Sequence, residues 1–94
     1  MNIRYYVDPE TGLPHLYGHE VEETEVEEVL SNPGEDRPEQ EGSRVAIGKT
    51  SEGRYLRVIY VPDPEPNSAF VITAYELRGK ALIAYRRRRR RKQR

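Results

Sequence analysis

Cysteine and tryptophan are absent from this 94-residue chain, which also holds a single phenylalanine and a single methionine. Without cysteine there are no disulfides and no thiolate metal sites, so packing alone must hold the fold, as suits a reducing compartment. No run approaches the roughly 20 apolar residues that span a bilayer. The opening MNIRYYVDPE lacks the apolar core of a signal peptide. These absences lead us to expect a cytoplasmic protein with no membrane role. Also missing are a Gly-rich phosphate loop, a nucleophile elbow and any Ser/His/Asp set; Lys80 follows Gly79 without the upstream glycine of a P-loop. Hydrophobic residues make up 35% of the chain and charged residues 34%. That bounds the protein to one small domain with a thin core.

What the chain has in abundance is charge, and it is unevenly placed. Residues 1–42 carry twelve carboxylates against Arg4 and Arg37, a net charge of −10. Residues 43–94 carry fourteen cations against four acids, a net charge of +10. The formal total of zero therefore conceals a dipole along the sequence. Its extreme is residues 86–94, RRRRRRKQR, with eight cations and no acid. Consecutive arginines repel one another at helical spacing, so the run calls for an external or distant anion. Arginine forks onto phosphate and stacks on bases, which makes RNA or another polyanion the expected partner. An acidic protein surface satisfies the same chemistry.

Hydrophobic periodicity orders the rest. Ile3 to Val7 reads as a short strand closed by the turn Asp8-Pro9-Glu10-Thr11-Gly12. Glu22 to Leu30 reads as a helix, with Val26, Val29 and Leu30 on one stripe and glutamates outside. Asn32-Pro33-Gly34 ends it. Glu35 to Ser43 reads as a polar loop. Arg44 to Lys49, Arg54 to Val61 and Ala69 to Tyr75 read as three strands, and their short connections imply an antiparallel meander. Lys80 to Lys92 reads as a second helix, anchored by Leu82, Ile83 and Tyr85. The expected fold is α+β: an antiparallel sheet of three to four strands, one helix from the first half, and a basic C-terminal helix. Residues 1–85 form the domain and 86–94 its basic extension.

The candidate site residues follow from chemistry. Arg86, Arg87, Arg88, Arg89, Arg90, Arg91 and Lys92, with Tyr85 for stacking, are the expected nucleic-acid contacts. Arg44, Lys49, Arg54 and Arg57 lie among Tyr55, Tyr60 and Tyr75, the mixture of cations and aromatics an RNA-binding sheet uses. The alternative is that half of these tyrosines sit in the core, each hydroxyl at its edge. His15 and His19 stand four apart, but Pro14 and Gly18 oppose a regular helix and no third ligand is evident. No metal and no cofactor are expected.

Taken together, His19 to Pro33 (HEVEETEVEEVLSNP), the stretch RVAIGKTSEGRYLRVIYV and the strand AFVITAYEL resemble the BrnT-like toxins and a related family of uncharacterised small domains. The basic helix from Gly79 to Arg91 fits the same pattern. The resemblance implies a RelE-like α+β fold, and BrnT-like members are ribonuclease toxins neutralised by a cognate antitoxin. Two positions depart from it: Glu20 stands where the pattern has glycine, and Glu22 where it has a Ser/Thr helix cap. The segment Ile3 to Tyr17 fits the uncharacterised domains better than the toxins. If the protein is such a ribonuclease, the RNA 2′-hydroxyl attacks phosphorus without a metal. Arg54 and Arg57 are then the phosphate contacts, and Lys49 or His19 moves the proton. A non-catalytic module docking on RNA, a ribosome or an acidic protein is the alternative.

Overall fold

The computed structural model of the protein describes residues 2–92. Five strands form one sheet: β1 (Asn2–Tyr5), β2 (Glu35–Pro38), β3 (Arg44–Lys49), β4 (Tyr55–Pro62) and β5 (Ser68–Glu76). A 3-10 helix (His15–His19) and α1 (Glu23–Ser31) precede β2, and α2 (Gly79–Lys92) closes the chain. The spatial order is β1-β5-β4-β3-β2. The β3-β4-β5 meander is antiparallel, as its short connections require.

Two findings correct the expected sheet. It has five strands and is mixed, because β1 runs parallel to β5, pairing Ile3 with Ala69 and Tyr5 with Val71. A parallel partner far along the chain leaves no turn signal for a sequence reader to find. The segment expected to be a polar loop also contains β2, whose residues EDRP pair antiparallel with β3. It has no apolar side chain to mark it. Charge and proline at a sheet edge discourage pairing with another chain, a common character of edge strands.

The sheet separates two cores. On one face α1 sets Val26 and Val29, both fully buried, against Ala46, Leu56, Val58, Val71 and Ala74. Burying each such valine or leucine contributes roughly 1.5–3 kcal/mol. Gly48 lets α1 approach closely, since a Cβ there would press on Val29 Cγ1 at 3.3 Å. On the other face Leu82 and Tyr85 of α2 pack with Val45, Ile47, Tyr55, Ile59 and Leu77. The alternation in β4 serves both layers, Leu56, Val58 and Tyr60 turning one way and Tyr55 and Ile59 the other. In β5 the buried set changes from Ala69 and Val71 to Ala74. The β4 pairing skips Ile72, so one extra residue resets the alternation.

Local signals explain the joints. Glu25 accepts a hydrogen bond from the Glu22 backbone at 3.0 Å, the returning half of a capping box at the start of α1. Glu20 ends the 3-10 helix with φ +58°, a left-handed conformation that favours glycine. That gives a physical reason for the glycine this position has in the resembled pattern. Glu28 of α1 accepts from the Ser51 backbone at 2.8 Å and so ties the helix to the β3-β4 hairpin.

Candidate functional site

Most arginines outside the run 86–91 are engaged by acids from the other half of the sequence. Arg4 donates to Asp63 at 2.6 Å and Arg44 to Asp36 at 3.0 Å. Arg54 is the most heavily engaged, reaching Glu76 at 3.0 Å, Glu25 at 2.9 Å and the Glu20 carbonyl at 2.8 Å. Burial opposes its charge, but the Glu76 and Glu25 bonds outweigh that and raise its pKa. Arg57 donates to Glu39 at 3.3 Å, while its Nε is buried without a partner among the described residues.

Tyr60, on the α1 face, donates to Asp36 at 2.7 Å. Burial first, and that bond second, push its hydroxyl up to about 12. His19 lies elsewhere again, with the rings of His15 at 5.3 Å and Tyr75 at 5.9 Å. The four residues expected to share catalysis, Arg54, Arg57, Lys49 and His19, are joined to one another by no hydrogen bond or ring contact among the described residues, although Tyr75, beside His19, pairs across the strands with Arg57.

Lys49 belongs to a different constellation. It ends β3 directly across from Tyr55, which begins β4. The Lys49 ammonium lies 5.6 Å from the Tyr55 ring centre, and the Arg86 guanidinium 5.0 Å. Tyr85 meets the same ring edge-on at 6.0 Å. Around them a concave cavity of about 340 Å³ is lined by Asn32, Gly34, Lys49, Tyr55, Tyr85, Arg86, Arg89 and Arg90. None of the lining side chains is acidic. Four cations and two aromatic rings share one hollow.

The helix that supplies three of those cations is pinned from below. Arg88 forks onto Glu35, Nε to Oε2 at 2.6 Å and Nη2 to Oε1 at 3.0 Å, which raises its pKa further. Arg89 donates to the Gly34 carbonyl at 2.8 Å. Gly34 is required at this crossing, because a side chain there would collide with the Tyr85 hydroxyl. Buried Tyr85 is a wall of the hollow, its pKa raised chiefly by burial and partly offset by Arg89. Tyr85, expected from the sequence to stack on a base, is only 4% exposed, whereas Tyr55 beside it is half-buried with Lys49 and Arg86 over its ring.

The run Arg86–Arg91 thus divides by helical position. Arg88 and Arg89 face the domain, Arg86 and Arg90 border the hollow, and Arg87 and Arg91 point to solvent. Lys92 is the last helical residue. Its side chain, with Gln93 and Arg94, lies outside the described residues. Asn32 and Gly34 were read in the sequence only as a helix stop, so nothing signalled their place in the lining.

A second, acidic concavity opens on the α1 side of the sheet. It measures about 510 Å³ and is lined by Tyr17, Glu20, Val21, Glu22, Glu23 and Thr24. Among the described residues no group of three or more His, Cys, Asp or Glu side chains has the arrangement to hold a metal ion. No described helix is long and apolar enough to cross a membrane.

A family model described as Domain of unknown function (DUF4258) matches residues 18–76. The chain belongs to the DUF4258 family. The match runs from the end of the 3-10 helix to the end of β5, so the DUF4258 core comprises α1 and the four strands β2 to β5. Both β1 and α2, the latter with the cations of the hollow, lie beyond it. No curated protein and no solved structure matches the chain.

Proposed function

We propose that the protein binds RNA, or a polyanion of the same character, through the hollow between α2 and the β3-β4 hairpin. The observation that carries this reading is the hollow that Lys49, Arg86, Arg89 and Arg90 line, with Lys49 and Arg86 over the Tyr55 ring and no acidic side chain in the lining. Fixed guanidinium groups neutralise backbone phosphates, and a tyrosine face accepts a base of any identity. Elsewhere on the molecule the arginines of the sheet already hold carboxylates, so they offer an incoming phosphate little net charge.

The RelE-like, toxin-type ribonuclease remains a second reading, favoured by one observation. Lys49 is the only expected catalytic residue in the hollow, where a bound phosphodiester would meet its ammonium. On that reading Lys49 protonates the leaving oxygen, the groove arginines stabilise the phosphorane, and a small antitoxin protein covers the same cations.

Fluorescence anisotropy with single-stranded RNA tests the binding. Four phosphate contacts give a slope of log K against log salt of about −3. The combined change Arg86→Ala, Arg89→Ala, Arg90→Ala reduces affinity at least tenfold and flattens the slope; retained affinity and slope would sink the reading. Growth of cells after induction, with message integrity followed on gels, separates the ribonuclease from the binding module. Normal growth with intact message removes the former.

A further inference from the structure

The outward face of α2 is unpartnered, and its composition describes what would cover it. Lys80, Ile83 and Arg87 fall on one stripe at helical spacing, all exposed. Ile83 is 55% exposed, an apolar knob set among cations. No ion pair or hydrogen bond engages Lys80 or Arg87 among the described residues.

The complement stands on the opposite side of the same molecule. There the cavity of about 510 Å³ has buried Val21 beneath it, half-exposed Tyr17 at its side, and the carboxylates of Glu20, Glu22 and Glu23 around it. Tyr17 donates to Glu23 at 2.7 Å, which fixes both on the same wall. An occupant of this groove needs an apolar group between cations. Those are the features of the α2 stripe.

We propose that the outer stripe of α2 docks in the acidic groove of a second copy of this chain. Ile83 enters beside Tyr17, and Lys80 and Arg87 meet the rim carboxylates. Charge complementarity selects this occupant. A chain of formal net charge zero lacks the self-repulsion that would keep copies apart, while its two faces carry opposite signs. The two surfaces lie on opposite faces of the sheet, so one contact leaves both outer surfaces open. The contact is heterologous and growth passes beyond the dimer. This association does not rest on the RNA-binding reading.

Analytical ultracentrifugation of the full, nuclease-treated chain tests it. At about 20 mM salt, where the Debye length is roughly 20 Å, the weight-average mass should climb with concentration past twice the 11.0 kDa of one chain. At about 0.5 M salt it should return to the monomer. Two variants, Glu20→Lys with Glu22→Lys and Lys80→Glu with Arg87→Glu, should each stay monomeric alone. Mixed in equal amounts they should associate again, because every contact between unlike copies is then complementary. Restored association on mixing also demonstrates that both variants are folded. A monomer at every concentration in low salt overturns the proposal, as does a mixture that stays monomeric.

Discussion

The two helical faces of the sheet teach opposite lessons about charge. On the α1 side, Arg54 is held by Glu25 and Glu76, and Arg44 by Asp36 with Tyr60 beside it. There charge serves the architecture. On the α2 side Arg88 is held by Glu35 and Arg57 by Glu39, while Arg86, Arg89 and Arg90 line the hollow beside Tyr55 with no acid in its lining. There charge is left for something else. The dipole along the sequence has become two things in space: ion pairs that join the halves, and a residue of unspent cations on one helix.

The sharpest way to break the comparison is at its crossing point. Gly34→Val forces Tyr85 out of its seat and detaches α2, costing about 3 kcal/mol in urea unfolding; a cost below about 1 kcal/mol would show that α2 is loosely held. Next comes Arg54→Ala, which strands the carboxylates of Glu25 and Glu76. We expect about 2 kcal/mol of destabilisation with the Lys49-Tyr55 groove intact, read from the same unfolding curves. Loss of RNA binding without loss of stability would instead give Arg54 a functional role. Arg88→Ala, which frees one end of α2, should cost about 1 kcal/mol.

A smaller, pH-linked effect sharpens the picture of paired charge. Arg78, then Arg54, hold the Glu76 carboxyl below its ordinary range, and Ser68, then Arg4, do the same for Asp63. A lowered folded pKa contributes stability that is complete above the unfolded value, near pH 4 to 4.5. It is lost as pH falls through the folded value. Tyr60 works at the other end: its hydroxyl is raised to about 12, so its contribution is complete below pH 10 and fades between pH 10 and 12. Unfolding midpoints at pH 3, 7 and 11 should therefore peak at pH 7. The smallest change is Glu20→Gly, which relieves a left-handed backbone and should stabilise by about 0.5 kcal/mol.

Local order was legible in the sequence wherever one face of an element is apolar. The stripe Val26, Val29, Leu30 placed α1, and the alternation around Leu56 and Val58 placed the meander. Pairing with distant partners was not. Nothing in NIRY says that its neighbour is β5, and nothing in EDRP says that it is a strand at all. The same limit governs the site. Lys49, Tyr85 and the arginine run could be named from residue type, because six arginines cannot neutralise one another. Their division into anchors and groove cations depends on Glu35 and Gly34, which sit more than fifty residues away. Arg54 and Arg57 look like free cations in the sequence because their partners, Glu25, Glu76 and Glu39, belong to other elements.

The division between structural and available arginines can be read in one titration. Single-stranded RNA affinity is measured against salt for the native chain, for Arg57→Ala on the sheet, and for Arg86→Ala with Arg90→Ala on the helix. The account predicts that Arg57→Ala leaves both affinity and slope unchanged. The helix pair should lose about tenfold in affinity and flatten the slope by about 1.4. The reverse pattern, with the sheet variant crippled and the helix variant intact, would contradict it.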